Sequence, residues 1–229
     1  MRIRVLAAAA LALVLAVLAA SAAIRLGQPL AGFPTGALRL AQRVAASLEV
    51  LAMIGIAVVA WRRRVVALAA TLTVFLSVLG IAAGQQPPPA AAAGNLLGGL
   101  ALAAAFGWLL GCSAEKTFRE KTMAGFAAAL IVLQCLLGAW VAILSPQLWT
   151  PGLVFHWLAG VALVSGALWL AFLCRPGLPR YLLLGLALLA LASGYSAIIF
   201  ERPFGAALMH AVAGAFFVAA AGYAHARLA

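Results

Sequence analysis

Eight apolar runs, each close to the length of a membrane span and separated by short turns, leave this chain little freedom in what it can fold into. They fall at about 5–24, 40–61, 65–84, 94–112, 122–144, 152–174, 181–200 and 205–226. A helix crossing a hydrocarbon layer of about 30 Å needs about 20 residues, so each run is one crossing. Composition agrees: 67% of the 229 residues are hydrophobic and 8% charged, against roughly 45–50% and 25% in an ordinary soluble domain. The expected fold class is all-α, a polytopic membrane protein of eight transmembrane helices. Its short connections leave no room for a soluble domain and make neighbouring helices antiparallel.

A net charge of +11 raises the question of nucleic acid, and the placement of the charges answers against it. In an eight-span arrangement Arg2, Arg4, Arg62, Arg63, Arg64, Lys116, Arg119, Lys121, Arg175, Arg180 and Arg227 share one side. Only Arg25, Arg39, Arg43 and Arg202 lie on the other. Lysine and arginine mark the cytoplasmic side, so both termini are expected there, in a bacterial-type inner membrane, and the basic side meets anionic lipid headgroups. The opening MRIRVLAAAALALVLAVLAASAA has the layout of a secretory signal but is long enough to cross, and is read as an uncleaved first span. Cys112, Cys135 and Cys174 show no CxxC spacing and no outer-loop pair, which argues against a disulfide framework.

Histidine inside a span is costly and is retained for a pathway, a ligand or a partner. His156, in Val154-Phe155-His156-Trp157-Leu158-Ala159-Gly160, opens the sixth run near the outer face. His210, in Leu208-Met209-His210-Ala211-Val212-Ala213-Gly214, opens the eighth at the same depth, and each has a glycine four residues on. Two imidazoles facing each other across a helix bundle can hold a haem iron. Gly160 and Gly214 would make room for the porphyrin, although small residues at this spacing also serve close helix packing, and Trp157 stands where it can touch a haem edge. His225, fifteen residues beyond His210 and so about 22 Å further along the helix, belongs to the opposite interface.

Laying the first four runs over the last four puts Gln42 on His156 and Asn95 on His210. Gln42 and Asn95 lie 53 residues apart, and His156 and His210 lie 54 apart. Gly99 and Gly214 each follow by four. The expected organisation is two pseudo-repeated four-helix bundles, residues 1–115 and 116–229, with sites in the bundle cores or between them. Glu49 is the acidic side chain deep in a span, seven residues from Gln42 on the same helix face. It is either a proton or substrate site or a protonated carboxyl hydrogen-bonded to Gln42, Asn95 or a hydroxyl such as that of Ser47 or Thr71. Outer connections are marked by Pro87-Pro88-Pro89 and by the segment from Arg25 to Arg39, rich in Pro and Gly, which is expected to lie over the bundle as a lid.

These residues resemble the haem A synthase family. Ile24-Arg25-Leu26 is similar to that family's Arg-Leu-Thr segment, Gln42-Arg43 stands where the family has His-Arg, and Leu133-Gln134-Cys135-Leu136-Leu137-Gly138-Ala139-Trp140-Val141 resembles its Leu-Gln-x-x-Leu-Gly-x-x-Val fifth span. His156 and His210 stand at its C-terminal-half histidines. The resemblance implies one b-type haem on His156 and His210, haem O and haem A as substrate and product, and cytochrome oxidase assembly factors as partners. Arg25, Arg43 and Arg202, near the outer face, either pair with haem propionates or snorkel to lipid phosphates. The resemblance also implies a reaction site in the N-terminal half that oxidises the C8 methyl of haem O. There the chain departs from the family. Both N-terminal ligand positions are amides, Gln42 and Asn95, a degenerate second site, and Arg39 replaces an acidic residue. Glu49 and Arg43 are then the polar helpers left for catalysis. Two functions stand open: a haem-binding, electron-transferring membrane protein linked to haem A synthesis or oxidase assembly, and a small transporter or structural subunit of a larger membrane complex in which Glu49, Gln42 and Asn95 line a polar path.

Overall fold

A computed structural model describes residues 2–84, 87–111, 118–144, 151–173, 177–201 and 203–228. Within them the chain forms α1 (Arg2–Gly27), α2 (Thr35–Ala60), α3 (Arg64–Ala83), α4 (Pro89–Gly111), α5 (Phe118–Ala139, continued by a π-helical turn, Trp140–Leu144), α6 (Pro151–Leu173), α7 (Leu178–Ile199) and α8 (Phe204–Leu228). Seven helices among the described residues are long and apolar enough to cross a bilayer, and α5 carries a shorter apolar stretch, Ala129–Ile143. The chain is an all-helical, multi-pass membrane protein.

Prolines set several helix starts. Pro89 and Pro151 open α4 and α6, and Pro179 lies in the first turn of α7. Proline is suited to that position because its missing N–H has no partner there in any case. Gly84, at φ 63°, ends α3 in a backbone conformation that glycine adopts without steric cost. α2 and α4 each begin about five residues before the apolar runs do: the polar first turn Thr35–Arg39 hides the start of α2, and at α4 a proline in the first position and four alanines, strong helix formers, carry the helix back to Pro89. As a result the connection between α1 and α2 spans only residues 28–34, much shorter than the segment expected to act as a lid. One part of it does cover the bundle: the Phe33 ring lies against Gly27 and meets Phe204, at the start of α8, at 5.2 Å between centroids.

Consecutive helices pack in sequence, α1 on α2 on α3 on α4, with α4 returning to α1. The same pattern runs from α5 to α8, with α8 returning to α5. One apolar core lies among α1–α4 and takes in Ala215 and Ala219 of α8; a second lies among α5–α8. Large apolar side chains such as Val58 (78% exposed) and Ile81 (83%) point outward, the arrangement a lipid-facing surface requires.

The seam between the two cores is α4 on α8, with α1 packed against both. Its closeness comes from glycines. A β-carbon on Gly107 would collide with the Ala219 main-chain carbonyl, one on Gly111 with that of Tyr223, and one on Gly222 with that of Ala104. Gly107-x-x-x-Gly111 is thus a small-residue face that lets two backbones touch, the usual source of helix adhesion where lipid removes the hydrophobic drive. Gly107→Val and Gly222→Val should each destabilise the fold by about 1–3 kcal/mol, the range for overpacking a tight interface. Denaturation in detergent micelles measures this, with Gly80→Val, where a β-carbon meets nothing within 4 Å, as the neutral control.

Candidate functional site

α6 and α8 bring His156 and His210 together. Their ring centroids are 5.9 Å apart and the ring planes cross at 81°. Each ring is seated by the helix that precedes its own, through a main-chain carbonyl and a glycine one turn further on. His210 packs on α7: its Nδ1 lies 2.8 Å from the Ala190 carbonyl, and a β-carbon on Gly194 would stand 2.9 Å from both Cε1 and Nδ1 of the ring. His156 packs on α5, where a β-carbon on Gly138 would stand 3.1 Å from its Cε1 and the Gln134 main-chain carbonyl lies beside the ring. Residues four apart share a helix face, so Gln134 with Gly138 and Ala190 with Gly194 form matching seats.

The hydrogen bond at His210 fixes its chemistry. A carbonyl only accepts, so Nδ1 carries the proton and, in the neutral ring, the lone pair is on Nε2. At His156 the matching carbonyl, that of Gln134, lies beside the ring but makes no bond of comparable geometry to Nδ1. His156 Nδ1 is buried without a partner, as is Gln134 Oε1.

Both rings line a cavity of about 310 Å³, at the lower end of the roughly 300–1,000 Å³ of small-molecule pockets. α5 to α8 supply most of its wall, α1 adds Arg25 and Leu26, and α4 adds Leu96 and Leu100. Of the residues singled out in the sequence as cofactor-binding, His156, His210, Gly160, Gly214, Trp157 and Arg25 all border this one space; Arg202 lies outside the described residues. A β-carbon on Gly214 would meet nothing within 4 Å, whereas at Gly160 it would meet the Gln134 amide nitrogen at 3.1 Å. One glycine therefore opens space and the other seats a side chain. Sequence reasoning missed Gly138, Gly194 and Ala190 as parts of the site. Their roles rest on main-chain carbonyls and absent side chains, for which the available signal was a glycine 18 residues before His156 and 16 before His210.

The N-terminal residues go elsewhere. Gln42 donates from Nε2 to Ser21 Oγ at 2.7 Å. Glu49, buried on α2, accepts at Oε1 from Thr73 Oγ1 at 3.0 Å, so its partner is a hydroxyl, as one of the expected alternatives had it, but that of Thr73 on α3; Thr71 turns back to the Ala67 carbonyl. Arg43 is exposed on α2 and, like Glu49, Gln42 and Asn95, borders no part of the histidine cavity. Leucine side chains occupy the space beside the α4 glycines: a β-carbon on Gly98 would stand 2.6 Å from Leu76 Cδ2, and one on Gly99 2.7 Å from Leu18 Cδ2. Cys135 is a free thiol on the cavity wall. His225 stacks edge-on against Trp108, with centroids 5.0 Å apart.

The donor set suits a haem. Two imidazoles bound on opposite sides of one metal ion, at about 2 Å per metal–nitrogen bond, have centroids about 6 Å apart, and each ring is free to turn about its bond. No group of three or more His, Cys, Asp or Glu that could hold a bare metal ion occurs among the described residues, but a porphyrin supplies four ligands itself and asks the protein for two. Comparison with protein-family models, with curated proteins and with solved structures finds no match.

In the N-terminal half, Thr73→Val leaves the Glu49 carboxyl buried without its donor and should cost about 1 kcal/mol, the worth of one hydrogen bond inside a helix bundle. Thr73→Ser should restore it, as read by denaturation in micelles.

Proposed function

We propose that this chain is a haem-binding membrane protein that holds one b-type haem between His156 and His210 and passes electrons in support of haem A synthesis or cytochrome oxidase assembly. The observation that carries the reading is the pair of seated imidazoles, 5.9 Å apart, on the wall of a shared cavity. His210 Nε2 and a ring nitrogen of His156 would hold the iron, Gly214 would leave room for the macrocycle, and Arg25 would meet its carboxylates, a contact that suits the guanidinium fork. Two axial histidines fill both open positions, so the haem would supply reversible one-electron chemistry and would not bind oxygen.

The two similarly connected rings, α1–α4 and α5–α8, support the further reading of eight crossings in two pseudo-repeated bundles. The distribution of arginine and lysine supports cytoplasmic termini, in a bacterial-type inner membrane. In this reading the N-terminal half binds no second haem. Gln42 is committed to Ser21, Glu49 to Thr73, and leucines fill the space beside Gly98 and Gly99. Oxidation of haem O there would lack iron ligands, which favours a carrier of haem or electrons over a synthase. Co-expression with a source of haem O separates the two: a carrier yields no haem A.

Purified protein should give sharp reduced-minus-oxidised absorption bands, at one haem per chain, that do not change on adding carbon monoxide. His156→Ala and His210→Ala should each abolish that spectrum while leaving a folded protein. A colourless, folded wild type would defeat the reading. Gly214→Leu tests the space rather than the ligands. Its side chain enters a void, so the fold should stand while haem content falls at least about tenfold, the scale on which disturbing the surroundings of a metal site acts.

A further inference from the structure

His210 and His156 are seated alike but not held alike. Ala190 has no side chain with which to compete for His210, and its carbonyl takes the Nδ1 proton at 2.8 Å. At the matching position α5 carries Gln134, whose main-chain carbonyl lies beside the His156 ring without a bond of comparable geometry, and two buried polar atoms are left over in the same cavity wall, Gln134 Oε1 and His156 Nδ1. Buried polar groups are nearly always partnered, and each exception calls for a cause. The two atoms are complementary. An amide oxygen only accepts, and an imidazole nitrogen donates when it carries the proton. The amide's other end is already placed, because its nitrogen lies over Gly160, one turn beyond His156 on α6, where a β-carbon would stand 3.1 Å away.

We propose that Gln134 is the positioning residue of His156: its side-chain oxygen accepts the Nδ1 proton, directly or through one ordered water, and so presents Nε2 with a free lone pair to the cavity. The proposal rests on the reading of His156 as an iron ligand. A metal-bound histidine nearly always donates its other N–H to such an acceptor, which sets both the tautomer and the basicity of the ligand. The two axial ligands then differ. His210 answers to a main-chain carbonyl that no substitution removes, and His156 to a side chain that can be changed. Gly160 gains a purpose beyond space for a porphyrin, since a β-carbon there would press on the amide nitrogen at 3.1 Å and shift it.

Nitrogen-15 NMR of histidine-labelled full-length protein, produced without haem, tests the hydrogen bond independently of the cofactor. Wild type should show His156 in the Nδ1–H tautomer with a slowly exchanging ring proton. Gln134→Leu, which keeps the bulk, should lose that signature at His156 and leave His210 unchanged, and Gln134→Glu, which keeps the acceptor, should retain it. Gly160→Ala should act like Gln134→Leu without touching the glutamine itself, and so covers the case of a Leu variant that does not fold. On haem-loaded protein the Leu variant should show a raised midpoint potential and about tenfold weaker haem retention, with Gln134→Glu on the wild-type side of both. An unchanged His156 tautomer in Gln134→Leu and Gly160→Ala would overturn the proposal in favour of the Gln134 main-chain carbonyl as acceptor. Failure of wild type to take up haem would sink the haem reading alone, since the tautomer result stands without it.

Discussion

An imidazole keeps a fixed orientation inside a bilayer only if the protein gives it both an acceptor for its proton and a place to lie, because no water is at hand to supply the first and helices in contact leave little of the second. The helix before each histidine provides the place, and at His210 it provides the acceptor as well. A carbonyl faces the ring, and one turn on a glycine takes the β-carbon out of its way, at Ala190 with Gly194 and at Gln134 with Gly138. The 5.9 Å spacing of His156 and His210 follows from the two seats, which in turn depend on α5 against α6 and α7 against α8. The α4–α8 seam, where glycines bring main chains into contact, fixes α8 against the first four helices. Arg25 of α1 thereby reaches the same cavity.

The two ends of the chain spend their few polar groups differently. In α1–α4 they are consumed in pairs that join neighbouring helices, Gln42 with Ser21 and Glu49 with Thr73. In α5–α8 Gln134, His156 and His210 face a shared space, and Gln134 Oε1 and His156 Nδ1 are left unpartnered on its wall. Glycine follows the same division. Gly99 lies under the Leu18 side chain, while Gly214, at the matching offset from its polar residue, borders open volume. One half is closed by its own side chains and the other is shaped to take something in.

Much of this was legible in the amino-acid sequence, for physical reasons. Apolar runs of span length dictate helices because nothing else satisfies the backbone of such segments here, and the two histidines stand at equal depth because antiparallel helices bring the starts of the sixth and eighth runs to one side. What was not legible depends on rotation and on atoms common to all residues. The face on which Arg43 falls, outward, and the partner Glu49 finds, Thr73, follow from how far α2 turns against α1 and α3. The Ala190 carbonyl is invisible in a string of side chains. The α1–α2 connection looked like a lid because proline and glycine cluster between Arg25 and Arg39; in fact helix runs to Gly27 and resumes at Thr35, and Phe33 alone closes over α8.

The central claim is that the two imidazoles converge on a single iron. Electron paramagnetic resonance of the oxidised protein with nitrogen hyperfine detection, on chains carrying nitrogen-15 in histidine alone, reads this directly. The account predicts a low-spin ferric centre coupled to two labelled axial nitrogens, one of which disappears in His156→Ala or His210→Ala wherever iron is retained. A high-spin centre, coupling to a single histidine, or coupling to two that survives either substitution would contradict it.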